Sequence, residues 1–493
     1  MKISIKSKFV VIGLIAILAI SIIGFAFGTS GDVNFGASNS IENDLSVTGT
    51  LTTNIVNGSS FQFWNGTTLT NGVNGTNGTN GTNGTNGTNG TNGTNGTNGT
   101  NGTNGTNALQ PVNLVSFVLG KYPNGTYFAQ NGTDGSISYT STNASYVINS
   151  VSSISNSYIQ FKEFSAVLDS SATINASASN VTLAGLGKGK TVLRAGNSLN
   201  KPVIAVLASS TAHTGIVIDG IEVDGNDGNQ ATANYPTNNP QGIFLADCDG
   251  AIVRNCYIHD VKMYGVWLIR VSESGGYTWG GQFYQNTVVN CNWNGLMIGT
   301  SGGTSLYTSV WGNDVSQSAD VGISMYGFWN NVYGNNIHNC QGALGDGGAN
   351  SGWAIGLEEG GYNTVSSTMV KDCDVGIGVS APNCAVSSTT CQDMDDNGIT
   401  IYAQNVTVNG LSMYGYGHLR AVYFNGGDNC TVLGVADHTC AGWAIQYETG
   451  SNGNFVSNCD FSGCVHDSTD AGTSNVWGYN RWKDGTYSRT PAG

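Results

Sequence analysis

The chain has 493 residues, of which 72 are glycine and only 10% are charged, and its net charge is −14. So little charge with so much glycine suits a turn-dense extracytoplasmic β-structure and argues against a helical domain. The acidic balance excludes a nucleic-acid binder, which needs basic stripes, and disfavours an acidic polysaccharide unless a cation bridges the two.

Lys2, Lys6 and Lys8 precede nineteen uncharged residues, Phe9 to Phe27. A secretory apolar core runs about 7–15 residues and a membrane span about 17–25, and Ala26-Phe27-Gly28 offers a peptidase site. Residues 1–28 therefore read as a signal peptide or as an N-terminal helix that holds the protein in a membrane. No Lys or Arg occurs from Phe9 to Gly120, which keeps the lysines inside and sends the remainder out. Residues 29–70 alternate weakly, as in Leu45-Ser46-Val47-Thr48, and form a short β-rich segment or a linker.

Residues 71–107 are a stalk. Glycine occupies every third position from Gly72 to Gly105, and eleven Asn-Gly-Thr sequons start at Asn74, Asn77, Asn80, Asn83, Asn86, Asn89, Asn92, Asn95, Asn98, Asn101 and Asn104. Each is an N-glycan acceptor where the transferase is present. Glycine at every third place also permits a collagen-like triple helix, hence a homotrimer, although the tract lacks the proline that collagens carry. In extended form it spans roughly 110 Å, at about 3.1 Å per residue, and lifts the C-terminal portion of the chain off a surface.

Residues 108–159 form an N-terminal cap, with Asn143 to Ile154 giving an N-cap residue and a short amphipathic helix that covers an open solenoid end. Residues 160–464 carry a repeated phrase. It runs Gly242-Ile243-Phe244-Leu245, Gly265-Val266-Trp267-Leu268, Gly295-Leu296-Met297-Ile298, Gly322-Ile323-Ser324-Met325 and Gly352-Trp353-Ala354-Ile355. It then returns every 22 residues at Gly376, Gly398, Arg420 and Gly442. Each phrase alternates as a strand with one buried face, and 22 residues leave no room for a crossover helix. A second phrase, at Asn383-Cys384, Asn405-Val406 and Asn429-Cys430, predicts an asparagine ladder at a corner. Residues 465–493 close the other end with Trp477 and Trp482.

These phrases, with Asn180 to Leu193 and Ile216 to Asn226, resemble the pectate-lyase-like proteins. The resemblance implies an all-β fold, a right-handed single-stranded parallel β-helix of about 12 coils. It implies no one activity, because the fold carries lyases, hydrolases, epimerases and adhesins. Polygalacturonase-type hydrolases show Asn-Thr-Asp, Asp-Asp, Gly-His-Gly and Arg-Ile-Lys; here only Asp395-Asp396 matches, and the Ca²⁺ and Arg signature of pectate lyases is not legible.

The eleven cysteines lie between Cys248 and Cys464 at spacings that match no zinc signature, and read as small buried hydrophobes. Gly185, Gly187 and Gly189 sit in no strand–loop–helix unit and make no phosphate loop. Phe244, Trp267, Tyr326, Tyr402 and Phe424 fall on outward positions of the repeated strand and predict a platform for sugar rings. Loops 225–240, 271–282 (with Tyr277 and Trp279) and 342–352 would cover it or wall it into a groove. Asp374 and Asp396 both stand two residues before the glycine column, and His418, beside Arg420, falls there one coil later. Stacked carboxylates in that column would act as acid and nucleophile on a glycosidic bond, or hold Ca²⁺ through Asp374, Asp395 and Asp396; a plain turn preference of Asp before Gly gives the same pattern. Two functions follow: a surface-tethered glycoprotein that binds polysaccharide as an adhesin or cell-envelope component, or a polysaccharide lyase or glycoside hydrolase.

Overall fold

The computed structural model describes residues 60–62, 68–70 and 115–489, apart from 235–236, 272–275, 301–303, 343–351 and 416. The chain divides into two units at residues 104 and 105. In the first, Ser60–Gln62 and Thr68–Thr70 pair as an antiparallel hairpin. The expected N-terminal signal or anchor and the stalk with its eleven sequons lie outside the described residues, among which no helix is long and apolar enough to cross a membrane.

The second unit is a right-handed parallel β-helix. Each coil visits three sheets in turn, as in Thr407–Asn409, Ser412–Tyr414 and Arg420–Phe424. The third sheet stacks twelve strands in one path, from Ala172–Ile174 to His466–Asp470. Inward side chains pile up coil on coil. Ile355, Ile377, Ile399, Val422 and Ile445 form one such column, each opposite the next and none exposed.

That register corrects the alignment of the repeated phrase. Trp353 pairs with Val375, and Asn397 pairs with Arg420, which pairs with Trp443. The glycine column therefore runs Gly322, Ala354, Gly376, Gly398, Ala421, Ala444, and Arg420 is not in it. What recurs is a small residue followed by a branched one, at a tight corner. A Cβ on Gly376 would meet the Gly398 carbonyl and the Cys391 sulfur, so in that coil the neighbours approach too closely for any side chain.

A second corner, entering the first sheet, has a left-handed backbone in coil after coil. Asn156, Asn180, Asn383, Asn405 and Asn429 hold it at φ between 54° and 59°, the conformation that Asn tolerates best. Asn180 bonds Asn156, and Asn405 bonds Asn383, at 2.8 and 3.2 Å. Inside the coil runs a separate ladder of buried asparagines, in which the Asn286 and Asn313 backbone N–H groups donate to the side-chain oxygens of Asn313 and Asn335 at 3.0 Å, which satisfies corner donors that water cannot reach.

The N-terminal end is covered by a helix, Ala144–Ser152, whose N-cap Asn143 accepts from the Tyr146 N–H at 3.1 Å. Val147, Ile148 and Val151 face the core. At the other end Trp482 is wholly buried and stacks on Phe461 at 5.7 Å. All eleven cysteines are buried and none is in a disulfide.

Candidate functional site

The five aromatics expected on one platform separate into three places. Phe244, Trp267 and Met297 do stand in register on the outer face of the third sheet. Tyr264 and Trp293 pack over them, leaving Trp267 only 4% exposed, and Tyr326 joins the same covered cluster. Tyr402 lies further along, half-exposed, stacked at 5.9 Å on Trp353, whose ring crosses the space that Gly378 leaves open. Phe424 is a correction: it points into the core and stacks on Tyr447 at 4.5 Å. With Ala421 in the small-residue column, Phe424 aligns with inward Ile401, and Tyr423 takes the outward place. One residue of register reverses a strand's faces.

The same shift divides the acidic column. Asp396 donates its N–H to the Asp374 carbonyl at 2.8 Å, so these two residues are stacked. The next member is Leu419, whose N–H meets the Asp396 carbonyl at 2.6 Å. His418 turns inward, is 1% exposed and bonds the buried Asp437 carboxylate at 2.8 Å; it is not in the groove with Asp374 and Asp396. Arg420 does reach the outer face, where it bonds Asp396 at 2.8 Å and Asn397 at 3.1 Å, also holds Gln446, and lies 4.5 Å from the Tyr423 ring. Burial raises the Asp374 carboxyl above its ordinary range, and Asp395 and Asp396 add repulsion. Among the described residues, Asp374, Asp395 and Asp396 are not a group whose ligand atoms converge within 4.8 Å. The loops expected as walls are described only outside 235–236, 272–275 and 343–351.

Asp320 is a carboxyl that the repeat pattern did not mark. It sits at the edge of the covered aromatic cluster near Tyr264 and Tyr326, and its Oδ1 has no hydrogen-bond partner among the described residues. Burial pushes it up to about 6.

Among the described residues, an exposed aromatic stack lies along the corner between the third and first sheets, beginning at Trp279 on the end of a third-sheet strand. Trp279, Tyr307, Trp329 and Tyr362 stack coil on coil with centroids 5.8, 5.4 and 5.8 Å apart. Each is between 48% and 53% exposed. Tyr307, Trp329 and Tyr362 occupy the left-handed corner column at φ of 54° to 57°. Bulky side chains there cost on the order of 1–3 kcal/mol each, and persist where the surrounding structure enforces them. At the far end of the first-sheet strands that follow, a second ladder, Tyr284, Trp311 and Tyr333, stacks at 4.3 and 5.7 Å with planes within 10°. Between the ladders runs an uncharged row in register, Gln282, Ser309, Asn331 and Thr364. The row therefore runs parallel to the helix axis, with the corner stack on one side of it and the second ladder on the other. The sequence pattern marks Trp279 alone, but Tyr307 to Trp329, Trp311 to Tyr333 and Asn313 to Asn335 are all 22 residues apart.

A family model described as "Periplasmic copper-binding protein (NosD)" matches residues 206–384. No curated protein matches the chain. Among solved structures, the pre-mature bacteriophage phi29 gene product 12 is similar at 11% identity over 68% of this chain, with a TM-score of 0.54; the chain spans about half, 49%, of that protein. The DFA-IIIase from Arthrobacter chlorophenolicus A6 in complex with GF2 gives 13% identity over 67% of this chain and 94% of its own, with a TM-score of 0.48. The catalytic unit of the GH87 α-1,3-glucanase from Streptomyces thermodiastaticus strain HF3-3 gives 14% identity over 68% of this chain and 66% of its own, with a TM-score of 0.46. At such identities the likeness is one of fold.

Proposed function

We propose that this chain is an extracytoplasmic β-helix that binds a neutral polysaccharide lengthwise on its first sheet, as a tethered component of the cell envelope. One observation carries the proposal: an exposed aromatic ladder and a second, half-buried one flank an uncharged hydroxyl and amide row at the coil repeat. A polymer laid along the axis meets the same apolar wall and the same hydrogen-bonding floor every coil, about 4.8 Å apart. Aromatic edges and faces accept the C–H surfaces of sugar rings, while Gln282, Ser309 and Asn331 offer partners to hydroxyls. The uncharged floor and the net charge of −14 favour a neutral polymer over an acidic one. The periplasmic description of the matching family supports the extracytoplasmic part, and the expected signal or anchor and glycan-bearing stalk supply the tether and the reach. Copper has no part in this reading. Within 206–384 the described residues bring three ligating side chains together only at Asp224, His259 and Asp260. Oxygen-rich sets of this kind do not suit copper, and Arg194 and His259 already meet these carboxylates at 3.3 and 2.8 Å.

Binding of the full chain to immobilised neutral and acidic glycans tests the proposal. Retention on a neutral glucan, weakened by Trp329→Ala and Tyr362→Ala, is the expected outcome; equal binding of these variants, or binding to acidic glycans alone, ends it. A second reading, glycoside hydrolysis, is favoured by Asp320, a half-buried carboxyl raised by desolvation near two tyrosines. Product analysis on the same glycans separates the two, because a passive binder returns the polymer intact.

A further inference from the structure

The inward column of the second sheet is apolar in coil after coil until its last member. Val315, Ile337, Val370, Cys391 and Met413 stand opposite one another, and the next residue is Asp437. Asp437 is wholly unexposed. A carboxylate in a hydrocarbon interior is costly unless a charge or a metal meets it.

Three side chains from three successive coils converge on it. His418 places Nε2 2.8 Å from Oδ2. The Cys440 sulfur lies within 4.8 Å of the ligating atoms of both. The Cys464 sulfur approaches from the next coil, 3.8 Å from the Asp437 backbone carbonyl, outside the three whose ligand atoms lie within 4.8 Å of one another. All three are at least 95% buried. His418 Nδ1 has no partner among the described residues, so the ring is oriented by this cluster alone. Here, where the core column turns polar, a buried His–Asp pair stands against two thiols of the kind that elsewhere only fill the core.

One imidazole nitrogen, one carboxylate oxygen and two sulfurs in a closed, dry space are the donors of a four-coordinate structural zinc site. We propose that His418, Asp437, Cys440 and Cys464 bind one zinc-class divalent cation, which clips the last three coils together beneath the C-terminal lid. Binding displaces the protons held by the two thiols and the one that bridges His418 Nε2 and Asp437, and the metal takes the place of that bridge. The site lies outside the matched residues 206–384 and apart from the polysaccharide face, so its fate is independent of that reading.

The test uses the full chain, purified under reducing conditions without chelator, with metal content by mass spectrometry and cobalt(II) as a spectroscopic stand-in. The expected result is one zinc per chain, and with cobalt a thiolate charge-transfer band and intense tetrahedral d–d absorption. Cys440→Ser and Asp437→Asn should lose both signals, whereas Cys340→Ser, which removes a buried thiol elsewhere, should keep them. Chelator should lower the melting temperature of the native chain and not that of Cys440→Ser. A folded native chain with no zinc and no thiolate-to-cobalt band overturns the proposal, as does a Cys440–Cys464 disulfide in the protein as isolated. Should the variants not fold, the native cobalt spectrum decides by itself.

Discussion

The Arg420 guanidinium lies 2.8 Å from the Asp396 carboxylate, joining two neighbouring coils across the outer face of the third sheet. Asp396 is 44% exposed, so water screens the pair and its net worth is ~0.2–1 kcal/mol. Arg420→Ala should therefore lower stability by less than about 1 kcal/mol, most of it from lost contact with Tyr423 and Gln446. Denaturant unfolding checks this. A loss of several kcal/mol would mean that the pair is part of the core, contrary to its exposure.

The left-handed corner gives a sharper test. Trp329→Asn replaces a bulky residue at φ 57° by the one that the same column uses elsewhere. The melting temperature should hold or rise, since Asn relieves backbone strain of ~1 kcal/mol, while glucan affinity falls about tenfold, the equivalent of ~1.4 kcal/mol. Calorimetry and affinity electrophoresis on one preparation measure both. Stability and binding falling together would make the ladder a packing device.

Asp320 predicts an unusual pH dependence. Its carboxyl titrates near 6 in the folded chain, above its ordinary 3.8. The folded state thus holds the proton more tightly than the unfolded state, and this contribution to stability is complete below about 4 and lost as pH rises through 6. Asp320→Asn should stabilise the protein at pH 7 by ~1–2 kcal/mol and change little at pH 4. Melting curves across that range show whether the difference closes on the acid side.

The small-residue corner should discriminate by a single methyl group. Gly376→Ala forces a Cβ against the Gly398 carbonyl and the Cys391 sulfur and should cost ~1–3 kcal/mol. Ala421→Gly, where the corner already accommodates a methyl, should cost only ~0.5–1 kcal/mol through backbone freedom. Urea unfolding of the two variants gives the ratio.

The period and the inward Ile377, Ile399 and Ile445 were legible because a solenoid repeats its core position in every coil, whatever its loops do. The site was less so. Gly352-Trp353 and Gly442-Trp443 match the glycine phrase in letters, yet the corner absorbs one extra residue and moves the true column to Ala354 and Ala444. That single step sends His418 and Phe424 inward and leaves Leu419 and Tyr423 outside. The partner that draws His418 in, Asp437, lies 19 residues on in a column that only the three-dimensional register reveals. The aromatic ladder hid for another reason: its members stand where glycine and asparagine are the rule, so a search for corner residues passes over Tyr307 and Trp329.

In every coil the main-chain hydrogen bonds run along the helix axis to the coils on either side. A force applied between the two ends of the β-helix therefore passes through every layer of these bonds in series, and the least supported layer gives way first. The outermost layer yields first, and at the C-terminal end that layer is held by Trp482 seated on Phe461. A ligand gripped across several coils by the first sheet spreads the pull over all of them together, so the protein is weakest to traction along its own axis at an unoccupied end and strongest where it holds its cargo.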